Sequence, residues 1–158
     1  MPGVTMGALC VLIDIDQPRV ATFASYTADD LAAFALLTGP VREIARGKVL
    51  RNQGDPSPNV YRLTKGWLEC IITTAEGGRQ ITKVHLPGDL VGMPSLAASE
   101  GAETITALTD AVVEVIALEA FSRVCREYPR FVMMLFLWSQ EERIRLMHQL
   151  TLVGKARS

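Results

Sequence analysis

The side chains that could do chemistry in this 158-residue chain are three cysteines, two histidines, a mixed acidic and basic cluster, and one glycine-rich loop. Cys10, Cys70 and Cys125 are far apart and form no CxxC pair, so they suggest neither a zinc knuckle nor a disulfide framework. Cys70 alternates along a β-type run and Cys125 falls on an apolar helical face, which places both in the core. Cys10 has apolar neighbours and is expected as a buried thiol, with redox sensing as the alternative. His85 closes a strand just before Pro87, as an exposed or rim histidine, and His148 lies in the polar half of a helix. Haem ligation by His85 or His148 is the one cofactor chemistry they could offer, but a lone imidazole with no orienting partner makes no ligand set. No cofactor and no metal is expected.

Glu141, Glu142, Arg143 and Arg145 fall on one helical segment, where they make exposed ion pairs four residues apart, such as Glu141 with Arg145. The chain has no Gly-x-Ser-x-Gly elbow, no P-loop, no dinucleotide-binding glycine pattern and no paired histidines for a facial metal site. It is therefore read as no enzyme. The remaining candidate is "GDLVGMPSLAASEGAETITAL", Gly88 to Leu108, whose glycines and small residues have the character of a loop that holds a small anion. Between Gly92 and Ala107 there is no Arg or Lys, and the two charges present are Glu100 and Glu103. An anion there would meet backbone N–H groups and two carboxylates, a cost of about 1 kcal/mol or more per close like-charge pair.

The elements that must position these groups follow from length and pattern. With 49% hydrophobic residues the chain can build one well-buried domain. A net charge of -1 lacks the cationic excess that nucleic-acid binding uses. The apolar run Gly7 to Ile13 is too short to span a bilayer, so a cytoplasmic protein without membrane contact is expected.

Residues 1–26 form an N-terminal arm whose "ALCVLIDID" could be a strand or a packed extension. Thr27 with Asp30 signals a helix start, and Gly39-Pro40 ends that helix. From Val41, short β-rich runs separated by glycines every 8 to 12 residues or so predict about eight strands, with a hairpin at Glu76-Gly77-Gly78. "LEAFSRVCREY" then predicts a short helix with Leu118, Phe121, Cys125 and Tyr128 on one face. After Pro129 there is no breaker until Gly154, which predicts a helix of about 24 residues, or 36 Å at 1.5 Å per residue. Its first half is apolar nearly all round and a near-heptad seam continues beyond, so Phe131, Met134, Leu135, Trp138, Ile144, Met147 and Leu150 are expected on a dimerisation helix. A core helix in a monomer is the alternative. The fold class is mainly β with flanking α: a double-stranded β-helix, or jelly-roll-like β-roll, over 27–128, a dimerisation helix over 129–154, and the start of a linker over 155–158.

Five segments in this order, "GKVLRNQGD", "VYRLTKGWLE", "GGRQITKVHLPGDLVG", "ALTDAVVEVIALEAF" and the helix begun by Pro129, resemble the sensory domain of the Crp/Fnr superfamily of bacterial transcription regulators. The resemblance covers about Thr27 to Gly154. It implies a homodimeric allosteric sensor that reaches DNA only through a C-terminal helix-turn-helix, a unit of about 20 residues that Lys155 to Ser158 cannot supply. It also implies an effector wall formed by Gly88, Asp89, Leu90, Val91, Gly92, Met93, Pro94, Ser95, Thr104 and Thr106, with Arg143 and Arg145 facing it or the dimer mate. Cyclic-nucleotide-binding members carry a Gly-Glu and a later Arg in the loop. Gly92 is followed here by Met93 and Pro94, so cyclic AMP and cyclic GMP are expected not to bind in the usual way, and the small-molecule effector is left open. A stand-alone β-roll for a protein partner or an apolar or haem-like ligand is the second reading.

Overall fold

The computed structural model describes residues 27–56, 59–98 and 100–156; the arm over 1–26, Cys10 included, lies outside them. Helix α1 (Ala28–Ala35) starts with the expected capping box: Asp30 N–H donates to Thr27 Oγ1 at 3.3 Å, and Thr27 N–H donates to Asp30 Oδ2 at 2.9 Å. Eight strands follow: β1 (Val41–Ile44), β2 (Val49–Arg51), β3 (Asn59–Lys65), β4 (Leu68–Thr73), β5 (Arg79–His85), β6 (Leu90–Val91), β7 (Thr104–Ala107) and β8 (Ala111–Ala117). A 3-10 turn (Met93–Ala97) lies between β6 and β7, and helices α2 (Leu118–Glu127) and α3 (Pro129–Ala156) close the chain.

The strands form two four-stranded antiparallel sheets, ordered β1-β8-β3-β6 and β2-β7-β4-β5. Only β4 and β5 are neighbours both in sequence and in a sheet; their turn closes with Thr74 N–H donating to Gly78 O at 2.8 Å. The other pairings join distant segments, as where Val41 of β1 faces Glu114 of β8. This is the β-roll expected from the punctuated runs.

Side-chain alternation explains why the roll needs its helices. On β3, Tyr61 and Leu63 turn into the space between the sheets with Leu50, Leu68, Cys70, Ile105 and Val113. Val60, from the opposite face, joins Ile116 of β8 in a second apolar cluster with Phe34, Leu37, Phe121, Val124 and Phe131. One sheet is thus buried on both sides, by its partner sheet and by all three helices. Arg62, which also points to the helical side, is buried but compensated: its Nε donates to Glu114 Oε2 at 2.6 Å and its guanidinium lies 5.4 Å from the Phe34 ring centre.

Helix α3 runs 28 residues, two past Gly154, because one glycine in a final turn costs only about 1 kcal/mol. Lys155 and Ala156 are therefore helical rather than linker. Phe131 and Met134 are buried in the chain's own body, and Leu135 and Trp138 are half-buried against the second cluster. Placing Phe131 and Met134 on a partner-facing surface is corrected: the helical side of the sheet needs cover, and the root of α3 supplies it. Arg130 Nε donates to Asp30 Oδ2 at 2.9 Å, which ties the root of α3 to the cap of α1. Among the described residues, no helix is long and apolar enough to cross a membrane.

Phe34 is fully enclosed where α1, α2, α3 and the sheet meet. Phe34→Ala is expected to lower the unfolding free energy by about 3–5 kcal/mol, as read by urea denaturation.

Candidate functional site

The loop over residues 88–103 is pinned at both ends. Gly88 N–H donates to Leu63 O at 2.8 Å and Leu63 N–H donates to Asp89 O at 3.0 Å, so the loop enters along β3. Asp89 Oδ2 accepts from the Leu86 N–H at 3.0 Å and lies 3.4 Å from His85 Nδ1. Leu90 and Val91 are buried as β6, and Gly92 then turns with φ 86°, a left-handed conformation that favours glycine. Gly101 N–H donates to Asp55 O at 2.7 Å, and Gln53 N–H donates to Thr104 Oγ1 at 3.0 Å where the loop rejoins the sheet.

The centre of this loop holds a cation that local sequence did not suggest. Arg51, at the end of β2, is buried, and its Nη2 donates to Ser95 Oγ at 2.7 Å. Ser95 Oγ also accepts from the Ala102 N–H at 3.0 Å, so one hydroxyl ties the guanidinium to both arms of the loop. A Cβ on Gly92 would stand 3.1 Å from Arg51 Nη1, and one on Gly101 would stand 2.7 Å from the Asn52 carbonyl oxygen. The glycines let the backbone close over the arginine. The expectation of a loop free of cationic side chains is therefore corrected: the cation comes from β2, more than forty residues upstream of Ser95. Glu100 is exposed and Glu103 is buried, so the two carboxylates do not act together as a repelling pair at the loop surface.

A second polar group lies beside the loop, under α3. Lys83 and His85 sit opposite Cys70 and Leu68 in the β5–β4 register, which puts them on the face those buried residues share. Lys83 Nζ pairs with Glu142 Oε1 of α3 and lies 4.5 Å from the Trp138 ring centre. These residues, with Glu103, Leu90, Met93 and Pro94, line a cavity of about 20 Å³ that is partly open to solvent, room for a single water. Glu103 Oε1 is enclosed with no hydrogen-bond partner among the described residues.

The titration behaviour follows from this crowding. Burial holds the Lys83 ammonium below its usual range, partly offset by Asp89, Cys70 and Glu103. Burial likewise lowers His85, with Asp89 opposing. Burial also works against the Asp89 carboxylate, but bonds from His85 and the Leu86 amide outweigh it and hold that carboxyl below its usual range. The Cys70 thiol is pushed far up, first by burial and then by Glu103, and burial also raises Cys125, so neither thiol is activated.

Of the expected effector wall, only Leu90, Met93 and Pro94 reach the cavity. Thr104 and Thr106 are half-buried in β7. Arg143 and Arg145 are exposed on α3, where Arg145 pairs with Glu141 as expected. His85 is 4% exposed rather than a rim residue, because its strand register turns it inward. His148 is exposed. Among the described residues no group of three or more His, Cys, Asp or Glu could hold a metal ion. Sequence reading missed Arg51, Lys83 and Glu103 as site residues; the spacing of Lys83 two residues before His85 on one strand was the available signal for one of them.

Residues 41–128 match the family described as cyclic nucleotide-binding domain. The chain belongs to that family. Its relatives are of the Crp/Fnr kind that the five ordered segments resembled. It is 33% identical over 115 residues to the transcriptional regulatory protein btr of Bordetella pertussis, covering 73% of this chain and 48% of that one. It is 29% identical over 106 residues to the transcriptional activator protein anr of Pseudomonas aeruginosa, covering 67% and 43%. The chain thus spans less than half the length of either relative. Among solved structures, the Thermus thermophilus catabolite activator protein superposes with a TM-score of 0.70 at 20% identity, over 85% of this chain and 62% of that one. The sensor domain of the transcriptional regulator DNR from Pseudomonas aeruginosa gives 0.60 at 17%, over 77% and 81%. At these identities the shared property is the fold.

In this cyclic nucleotide-binding domain the lowered His85 has a stability consequence. The unfolded chain takes up a proton near the ordinary value of 6.5, and the folded chain does so only at lower pH. Stability is thus expected to fall as pH drops below about 6.5, by no more than about 1.4 kcal/mol per pH unit from this group. Urea denaturation between pH 7.5 and 5 should show that slope, and His85→Gln should flatten it.

Proposed function

We propose that this chain is the sensory and dimerisation module of a Crp/Fnr-type transcription regulator, signalling allosterically to DNA-binding units carried outside these residues. The supporting observation is the division of α3 into two faces. Phe131 and Met134 are buried in the body, while Met133, Phe136, Ile144, Met147 and Leu150 remain exposed. Met133, Leu137, Gln140, Ile144, Met147 and Thr151 follow one another at intervals of four and three, the spacing of a coiled-coil seam. A second copy of α3 is the occupant this spacing fits, in a symmetric pair. A change in how α3 leaves the roll would then change the crossing of the two helices and the separation of whatever they carry.

The loop supports a module that takes no cyclic nucleotide in the usual way. Met93 stands where a ribose-binding carboxylate would be needed, Arg51 is already committed to Ser95, and the adjoining cavity holds no more than a water. The family match and the regulatory names of the relatives support the regulatory role.

Two measurements test this reading. Sedimentation at micromolar concentration is expected to show a dimer, and Ile144→Glu with Met147→Glu is expected to weaken it at least a hundredfold while the roll stays folded, because two charges would be buried in an apolar seam. A native chain that sediments as a monomer sinks the dimer reading. Calorimetric titration with cyclic AMP is expected to give no saturable binding below about 1 mM, an affinity floor near -4 kcal/mol. Low-micromolar affinity would refute the loop reading.

A further inference from the structure

We propose that Trp138, Glu142 and Glu103, beside the cavity under α3, form an ammonium cage occupied from within the chain by Lys83, and that its occupancy sets how firmly α3 is docked on the roll. The cage has the parts that recognise a primary ammonium. Trp138 supplies an aromatic face 4.5 Å from Nζ, Glu142 supplies the paired carboxylate, and Glu103, 6% exposed, brings a buried carboxylate oxygen with no hydrogen-bond partner among the described residues. Two carboxylates, Glu142 in its ion pair with Lys83 and the enclosed Glu103, make the site fit a cation with three donors better than a neutral group. The parts come from different elements. Lys83 is on β5 and Glu103 enters β7, whereas Trp138 and Glu142 are on α3.

The position of the cage along α3 gives it leverage. Towards the root, Phe131 and Met134 are buried in the body, and beyond Glu142 every described side chain from Arg143 to Thr151 is exposed. The cage is thus the outermost attachment of α3 to the roll. If Lys83 leaves, the half-buried Glu142 and the buried Glu103 carboxylates are left without their cation, and α3 moves away to let water in. The consequence for signalling rests on the sensory reading above; the cage itself does not.

Chemical rescue tests the cage in the full chain, with Trp67→Phe as background so that Trp138 alone reports fluorescence. Lys83→Ala is expected to lower Tm by roughly 4–8 °C and to speed amide exchange in α3 beyond Trp138 at least tenfold. Millimolar propylammonium chloride should restore much of both and shift Trp138 emission along a saturating curve, while propanol with equal sodium chloride should not. Rescue by propanol equal to that by propylammonium, or no rescue by either, overturns the cage. Should Lys83→Ala fail to fold, Glu142→Gln carries the test: faster exchange beyond Trp138 upholds the cage, and unchanged exchange overturns it. None of these readouts requires a dimer, DNA or a cyclic nucleotide, so the cage can fail while the sensory reading stands, and the reverse.

Discussion

The structure depends on one sheet having two apolar faces. Strands β3 and β8 direct Tyr61, Leu63 and Val113 towards the other sheet, and Val60 and Ile116 away from it. The inner face is satisfied by sheet-on-sheet packing, and among the described residues the outer face is covered by helices. That requirement draws α1, α2 and the root of α3 onto the same side and anchors a helix whose remaining length no part of the described roll covers. Each later property of α3 follows from this anchoring: where it starts, which side chains it loses to the body, and where it departs.

Charge is the second organising force, and it is handled from the inside. Arg51, Arg62 and Lys83 are all wholly or largely withdrawn from water, each against a named acceptor: Ser95, Glu114 and Glu142. Burying a cation with a good partner adds little net stability, but removing the partner is costly, so such pairs specify geometry more than they strengthen the fold. In the loop over residues 88–103 this places a guanidinium belonging to the chain at the centre, and under α3 it places an ammonium belonging to the chain against Trp138 and Glu142. Two places where a ligand could bring charge are thus already furnished from within the chain.

Much of the architecture was legible in the residues because it rests on local rules. Thr27 and Asp30 announce a capping box, the glycine-punctuated β-rich runs announce strands, Glu76-Gly77-Gly78 announces the hairpin, and Pro129 announces a helix start. Each signal acts within a few residues, through a hydrogen bond or a backbone conformation available only there. The site was less legible. Arg51 and Ser95 are 44 positions apart, and Lys83 and Glu142 farther still. No local pattern marks a residue whose role is to meet something that distant.

The sequence by itself determined the kinds of the main elements, their order and the start of α3, because periodicity and capping act over one or two turns of chain. Only the tertiary structure decided which face of α3 is lost to the body, that His85 turns inward, and that the glycine-rich loop closes over a cation from another strand. Those outcomes depend on strand register and on which layers stack. Register in turn is set by pairings between segments remote in the chain, whose cost and reward exist only once the whole roll has closed.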